Sequence, residues 1–129
     1  MKMVNSLILK MILSLSVVFM MTISLNVNAA EIVAQGKCGE NVHWVITSDE
    51  VLTISGEGEM TEAPWKEYSW KYRDVVVKGS VTKICDDAFK DLQWVKVVVL
   101  EEGVTTIGDN AFDQLDAIVY VPSSVVEID

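Results

Sequence analysis

Histidine occurs once in this chain of 129 residues, and proline and cysteine twice each. Two cysteines are too few for a disulfide scaffold. With a single histidine and no CxxC they also fall short of a closed zinc site. Basic residues are scarce: 10 Lys and Arg stand against 19 Asp and Glu, a net charge of −9. Such a chain repels phosphate backbones and anionic lipid, which excludes nucleic acid and polybasic membrane-surface roles. Glycine is limited to 7 residues while half the chain is apolar, so neither a collagen-like nor a disordered chain is written here. There is no Gly-x-Ser-x-Gly, no phosphate-cradling glycine loop and no calcium-loop spacing. The length is that of one domain.

Long apolar runs are missing too, with one exception. Residues 1–10 hold Lys2 and Lys10 and no acid, and residues 11–25 are apolar and uncharged. Asn26-Val27-Asn28-Ala29-Ala30 follows, placing small residues at −3 and −1 of a cut after Ala29, with Ala30 the alternative. These are the three regions of a secretory signal peptide over 1–29. An uncleaved anchor is the competing reading, but 15 residues fall short of the roughly 20 needed to span hydrocarbon. Cleavage leaves 100 residues with 8 bases and 19 acids, net −11, in an oxidising exterior and with no membrane contact. That environment permits a Cys38–Cys85 disulfide, provided the two α-carbons come within about 7 Å.

The second half repeats itself. Val81-Thr82-Lys83-Ile84-Cys85-Asp86-Asp87-Ala88-Phe89 aligns with Val104-Thr105-Thr106-Ile107-Gly108-Asp109-Asn110-Ala111-Phe112 at a spacing of 23, continuing to Leu92 and Leu115. Residues 75–77 precede 98–100 by the same 23, and a third, partial copy over 119–128 has a connection two residues shorter. The short β-branched runs 75–77, 97–100 and 118–121 suit parallel strands of a solenoid. Residues 81–84 and 104–107 are second extended pieces. Asp86 and Asp109 are placed to N-cap short helical turns. Phe89 and Phe112 point inward, where stacked repeats form ladders.

The pattern V-T-x-I-x-D-x-A-F, then Leu, then a strand, resembles the BspA-type leucine-rich repeats of secreted bacterial surface proteins. Gly36-Lys37-Cys38-Gly39, Trp44, the run 52–60 and Pro64-Trp65 resemble the segment that precedes such arrays, and Val119-Tyr120-Val121-Pro122 resembles their last repeat. The likeness covers residues 36–128. Cys85 departs from the family's glycine after V-x-x-I, and the array is short. The implied architecture is mostly β: a short leucine-rich-repeat solenoid over 73–129 behind an N-terminal β-hairpin cap over 30–72.

Within that cap, Val42, Trp44 and Ile46 alternate with His43, Val45 and Thr47. Residues 48–50 turn the chain and 51–55 return as a strand, giving a hairpin that would bury Trp44, Leu52 and Ile54 by lying on the first repeat. Residues 64–72 gather Trp65, Tyr68, Trp70 and Tyr72, four of the chain's seven Trp and Tyr. They suit an aromatic plug for the open end of the array better than a sugar-stacking platform, though bulky amphipathic rings serve either.

Catalytic constellations are thin. A Cys38–His43 nucleophile pair lacks an orienting third group, and a solvent-facing hairpin histidine is the simpler reading. Glu57/Glu59, Asp86/Asp87 and Glu101/Glu102 offer the paired carboxylates of glycoside hydrolysis, but at strand exits and turn starts where acids are ordinary. More telling is the strand alternation. With Val75, Val77, Val98, Leu100, Val119 and Val121 inward, Asp74, Val76, Val97, Val99, Ile118 and Tyr120 face out, and five of these six are apolar. Water-facing sheets ordinarily alternate to polar. Either the cap or a symmetric copy covers Val76, Val97, Val99, Ile118 and Tyr120, or they meet a partner.

The expected function is non-catalytic, cofactor-free protein recognition or adhesion at the cell surface. A self-assembling surface component is the alternative, and a small glycan-binding or glycan-cleaving protein a more distant one.

Overall fold

The computed structural model describes residues 30–129, and all but Ala30 of these form one contact unit, Glu31–Asp129. The segment over 1–29 expected to be a signal peptide lies outside the described residues. The chain runs β1 (Ile32–Lys37), β2 (Val42–Thr47), β3 (Val51–Gly56), β4 (Gly58–Glu59), a 3-10 helix (Pro64–Lys71), β5 (Asp74–Val77) and β6 (Val81–Ile84). It continues through β7 (Val97–Leu100), β8 (Thr106–Ile107), β9 (Ile118–Tyr120) and β10 (Glu127–Ile128).

Two sheets result. One has six strands in the order β1-β2-β3-β5-β7-β9, and the other four in the order β10-β8-β6-β4. From β3 onward neighbours in the first sheet are parallel: Leu52 pairs with Val75, Val75 with Val98 and Val98 with Val119. Parallel neighbours need a long crossover, and here each crossover visits the second sheet. Gly58 pairs with Val81, Lys83 with Thr106 and Thr106 with Glu127. The last step is 21 residues against 23, which is the shortened connection seen in the sequence.

The same step of 23 extends one copy further upstream than the sequence motifs show, since Val51–Gly56 is in register with Asp74–Val77. The third strand of the N-terminal meander is thus also the first parallel strand. Hydrophobic alternation in the sequence marks β2 and β3. It does not mark β1, which pairs antiparallel with β2 through a bulge near Ile32 and exposes Ile32 and Val33. The expectation that the hairpin lies on top of the first repeat is corrected: it joins edge to edge and lengthens the sheet. Trp44, Leu52 and Ile54 are buried all the same, because the inward side of that sheet is continuous with the core.

Ladders run through the interior. Trp65, Phe89 and Phe112 stack in succession, ring centroids 5.7 and 5.6 Å apart at 22° and 14°. Phe89 is fully buried between two rings, and Phe112, with one, is only partly so. Trp65 Nε1–H donates to the Ala88 carbonyl at 2.9 Å, and the Tyr72 hydroxyl donates to the Trp65 carbonyl at 3.1 Å. Burial therefore leaves neither polar group unpaired.

The short helical turns expected at Asp86 and Asp109 are replaced by non-helical turns over 86–91 and 109–114. Asp87, Asp91, Asn110 and Gln114 sit at φ of 56° to 62°, two per turn at the repeat spacing. These left-handed residues direct peptide groups along the stack. The N–H groups of Asp87, Phe89 and Asp91 donate to the carbonyls of Asp109, Ala111 and Asp113. Asp86 does not cap its own turn; its carboxylate accepts the Asp109 N–H at 2.7 Å, one repeat on. The next repeat satisfies groups a helix would have satisfied internally.

Candidate functional site

The outer side of the six-stranded sheet is set by alternation on β-branched strands, each of which must turn every second residue outward. Its two central rows follow from the register. Thr53, Val76, Val99 and Tyr120 form one, and Val51, Asp74, Val97 and Ile118 the other. Val45 and Gln35 extend the first row onto the N-terminal strands, and Thr47 extends the second. All five apolar residues expected to face outward share this surface, but Val121, expected inward, lies past the end of β9 and is exposed. Val76, Val97 and Val99 are half-buried by their neighbours, whereas Ile118 and Tyr120 are 59% and 57% exposed.

Because β1–β3 lengthen the sheet, they do not cover it. Of the explanations offered by the sequence, coverage by the cap therefore falls, and a symmetric copy or a partner remains. What stands is a largely apolar surface of the kind that marks interaction sites.

The aromatic segment is divided by the fold. Trp65 and Tyr72 are fully buried and Tyr68 is half-buried, tilted against Trp44 at 5.7 Å. Trp70 alone of the four is exposed, at 64%. A common platform for a sugar ring is absent from this arrangement, because the first rung of the ring ladder takes Trp65 inward.

A second exposed indole belongs to no motif in the sequence. Trp94 is 51% exposed and lies against the Arg73 guanidinium, 5.5 Å from the ring centroid. Arg73 is held in turn by Glu50 at 3.2 Å. Residues 50, 73 and 96 are one repeat apart, so Glu50, Arg73 and Lys96 follow one another along the strand-entry border of the sheet, and the Lys96 N–H donates to the Arg73 carbonyl at 2.7 Å. Subtracting 23 from the motif positions would have found this row.

The catalytic alternatives are not assembled by side-chain placement. His43 is exposed on β2, while Cys38 is fully buried. Burial pushes the Cys38 thiol up to about 12 and Cys85 to about 11. A protonated, inaccessible thiol is a poor nucleophile. Both cysteines are free, so the disulfide is not formed here. Glu101 receives Lys78 and the Gly79 N–H from the preceding repeat, and Glu102 receives the hydroxyl and N–H of Ser123 from the next. These two carboxylates latch repeats together. Glu57, Glu59, Asp86 and Asp87 are exposed. Among the described residues no three His, Cys, Asp or Glu side chains gather in a metal-binding arrangement.

No family model and no curated protein matches the chain. Among solved structures it is similar to a leucine-rich repeat protein from Eubacterium ventriosum ATCC 27560. The identity is 25% and the TM-score 0.66, over 78% of this chain and 28% of that one. A leucine rich cell surface protein from Faecalibacterium prausnitzii A2-165 aligns at 18% identity and a TM-score of 0.45, over 79% of this chain and 33% of that one. The chain thus spans less than a third of the first structure's length, and shares with it the mostly β, parallel-sheet fold of a bacterial leucine-rich repeat protein.

Proposed function

We propose that this chain is an exported, non-catalytic binding module whose outer sheet face, Val76, Val97, Val99, Ile118 and Tyr120, meets a protein partner at the cell surface. Its repeats are of the BspA type and its stack is a short solenoid. The domain division is a leader over 1–29, a cap over 30–72 and repeats over 73–129, with β3 and Trp65 serving both cap and stack. Export rests on the charge and apolar pattern of residues 1–29. Among the described residues no helix is long and apolar enough to cross a membrane.

The observation that carries this reading is the open apolar face. Five of six outward positions on β5, β7 and β9 are apolar, and the N-terminal strands leave them uncovered. Tyr120, exposed on this face, is of a type enriched among the side chains that dominate protein recognition. Specificity and modest affinity are expected of so small a surface, with avidity supplying the rest.

A pull-down from surface extracts with the wild type and with Val99→Asp plus Tyr120→Asp tests it. The wild type should retain a partner and the double variant lose it, with the near-ultraviolet circular dichroism of the two alike. Equal capture by both would refute the assignment of the face. Growth in sedimentation coefficient with concentration, without ligand, would instead support the self-assembling alternative.

A further inference from the structure

Within the two central outer rows of β3, β5, β7 and β9, seven residues are uncharged and one is not. Asp74 stands between Val51 and Val97, with Ile118 beyond. It is exposed, and none of the three ion pairs among the described residues includes it. Its sequence neighbour Arg73 is engaged elsewhere, by Glu50 and the Trp94 ring. No side-chain hydrogen bond holds the Asp74 carboxylate among the described residues. A lone carboxylate on an apolar surface weakens non-specific association and is satisfied by a partner bearing the opposite charge.

The surroundings have the same sign. Residues 97–129 contain seven acids and no Lys, Arg or His. Asp116 precedes β9 at the strand-entry border, and Glu101 and Glu102 follow β7 at the opposite border. Of the bases nearby, Arg73 and Lys78 are already paired with Glu50 and Glu101, which leaves Lys96. The apolar rows are therefore framed by net negative charge, and the most exposed of them, on β9, lie in the wholly acidic part of the chain.

Resting on the reading of this face as the binding surface, we infer that its occupant is a polypeptide segment combining apolar side chains with lysine or arginine, and that Asp74 is the residue selecting the cation. The charge pattern decides among occupants. A second copy would bring the same carboxylates against these ones, and nucleic acid or anionic lipid would bring phosphate. Apolar contacts with Val97, Val99, Ile118 and Tyr120 supply the area. Asp74 supplies discrimination, and the wider acidic field speeds encounter in a salt-dependent way.

Three matched synthetic peptides test this: identical alternate valines, with lysine, threonine or glutamate between them. Backbone amide shifts of the purified protein report where each binds, and intrinsic tryptophan fluorescence reports how tightly. The lysine peptide should bind tightest and shift Asp74, Val97 and Ile118, with affinity falling as sodium chloride rises from about 50 to 500 mM. Asp74→Asn should lower its affinity about two- to fivefold and leave the threonine peptide unchanged, the size expected of one exposed ion pair.

If threonine and lysine peptides bind this face equally, or Asp74→Asn changes neither, the charge selection is overturned while the face itself stands. Lysine-peptide shifts confined to Glu57, Glu59 and Asp86, away from the outer rows, would overturn it as well. If no peptide shifts any outer-face amide, the face itself is refuted. Self-association through these rows without peptide would assign them to a second copy and refute the cationic partner.

Discussion

Phe89→Ala should be far more costly than Phe112→Ala, although the two rings occupy equivalent sequence positions. Phe89 is fully buried with Trp65 on one side at 5.7 Å and Phe112 on the other at 5.6 Å. Truncating a buried phenylalanine costs about 3–5 kcal/mol through lost transfer energy and the cavity left behind. Each stacked ring pair contributes about 0.5–1.5 kcal/mol beyond area, and Phe89 loses two such pairs. The top of the range, ~5 kcal/mol, is therefore expected.

Phe112 is partly exposed and loses one pair, so about half that loss is expected, ~2 kcal/mol. A domain of this size has a total stability of about 5–15 kcal/mol. Phe89→Ala should consequently be marginally folded and Phe112→Ala comfortably so. Urea unfolding followed by far-ultraviolet circular dichroism gives both values, and the double variant gives the coupling between the rings. Equal losses, or a larger loss at Phe112, would refute the ring ladder as the spine of the stack.

Two glycines separate steric from conformational cost. At Gly103 (φ +120°) a Cβ would lie 1.9 Å from the Gly79 carbonyl oxygen, so Gly103→Ala should unfold the C-terminal repeats. At Gly58 (φ +103°) a Cβ would meet nothing within 4 Å, so Gly58→Ala should cost only the backbone strain, about 1–3 kcal/mol; thermal melts of the two variants compare them directly. Alkaline pH should destabilise the fold through the buried thiols. Cys38 and Cys85 are raised from 9.0 to about 12 and about 11, so the folded state holds two protons that the unfolded chain has lost. Stability is complete below pH 9 and falls from there to about pH 11–12, by up to about 1.4 kcal/mol per pH unit per thiol. A melting temperature that falls equally in Cys38→Ser plus Cys85→Ser would contradict this assignment.

The outer face was legible in the sequence because strand alternation is local: Val76, Val97, Val99, Ile118 and Tyr120 turn outward as the period-2 pattern requires. The motif spacing of 23 likewise carried straight into the register of β5, β7 and β9. Trp94 and Arg73 were not legible, since their contact joins residues from successive repeats at positions with no hydrophobic periodicity. The turns over 86–91 depart from the expected helical form for a related reason. An aspartate before a short apolar pair resembles a helix N-terminus, yet its acceptor is used by the Asp109 N–H of the next repeat. Trp65 was grouped with Tyr68, Trp70 and Tyr72 by proximity in sequence, while its real neighbour is Phe89.

By itself the sequence determined which residues of β5 and β7 face in and which face out, and the 23-residue step between equivalent positions, because both follow from short-range pattern and repetition. Only the tertiary structure decided that the N-terminal strands lengthen the sheet instead of covering its apolar face. The physical reason is that an edge strand's unpaired N–H and C=O groups accept either a further strand or a covering element. Which of the two they receive depends on backbone pairing between distant segments, and residue pattern alone does not encode that choice.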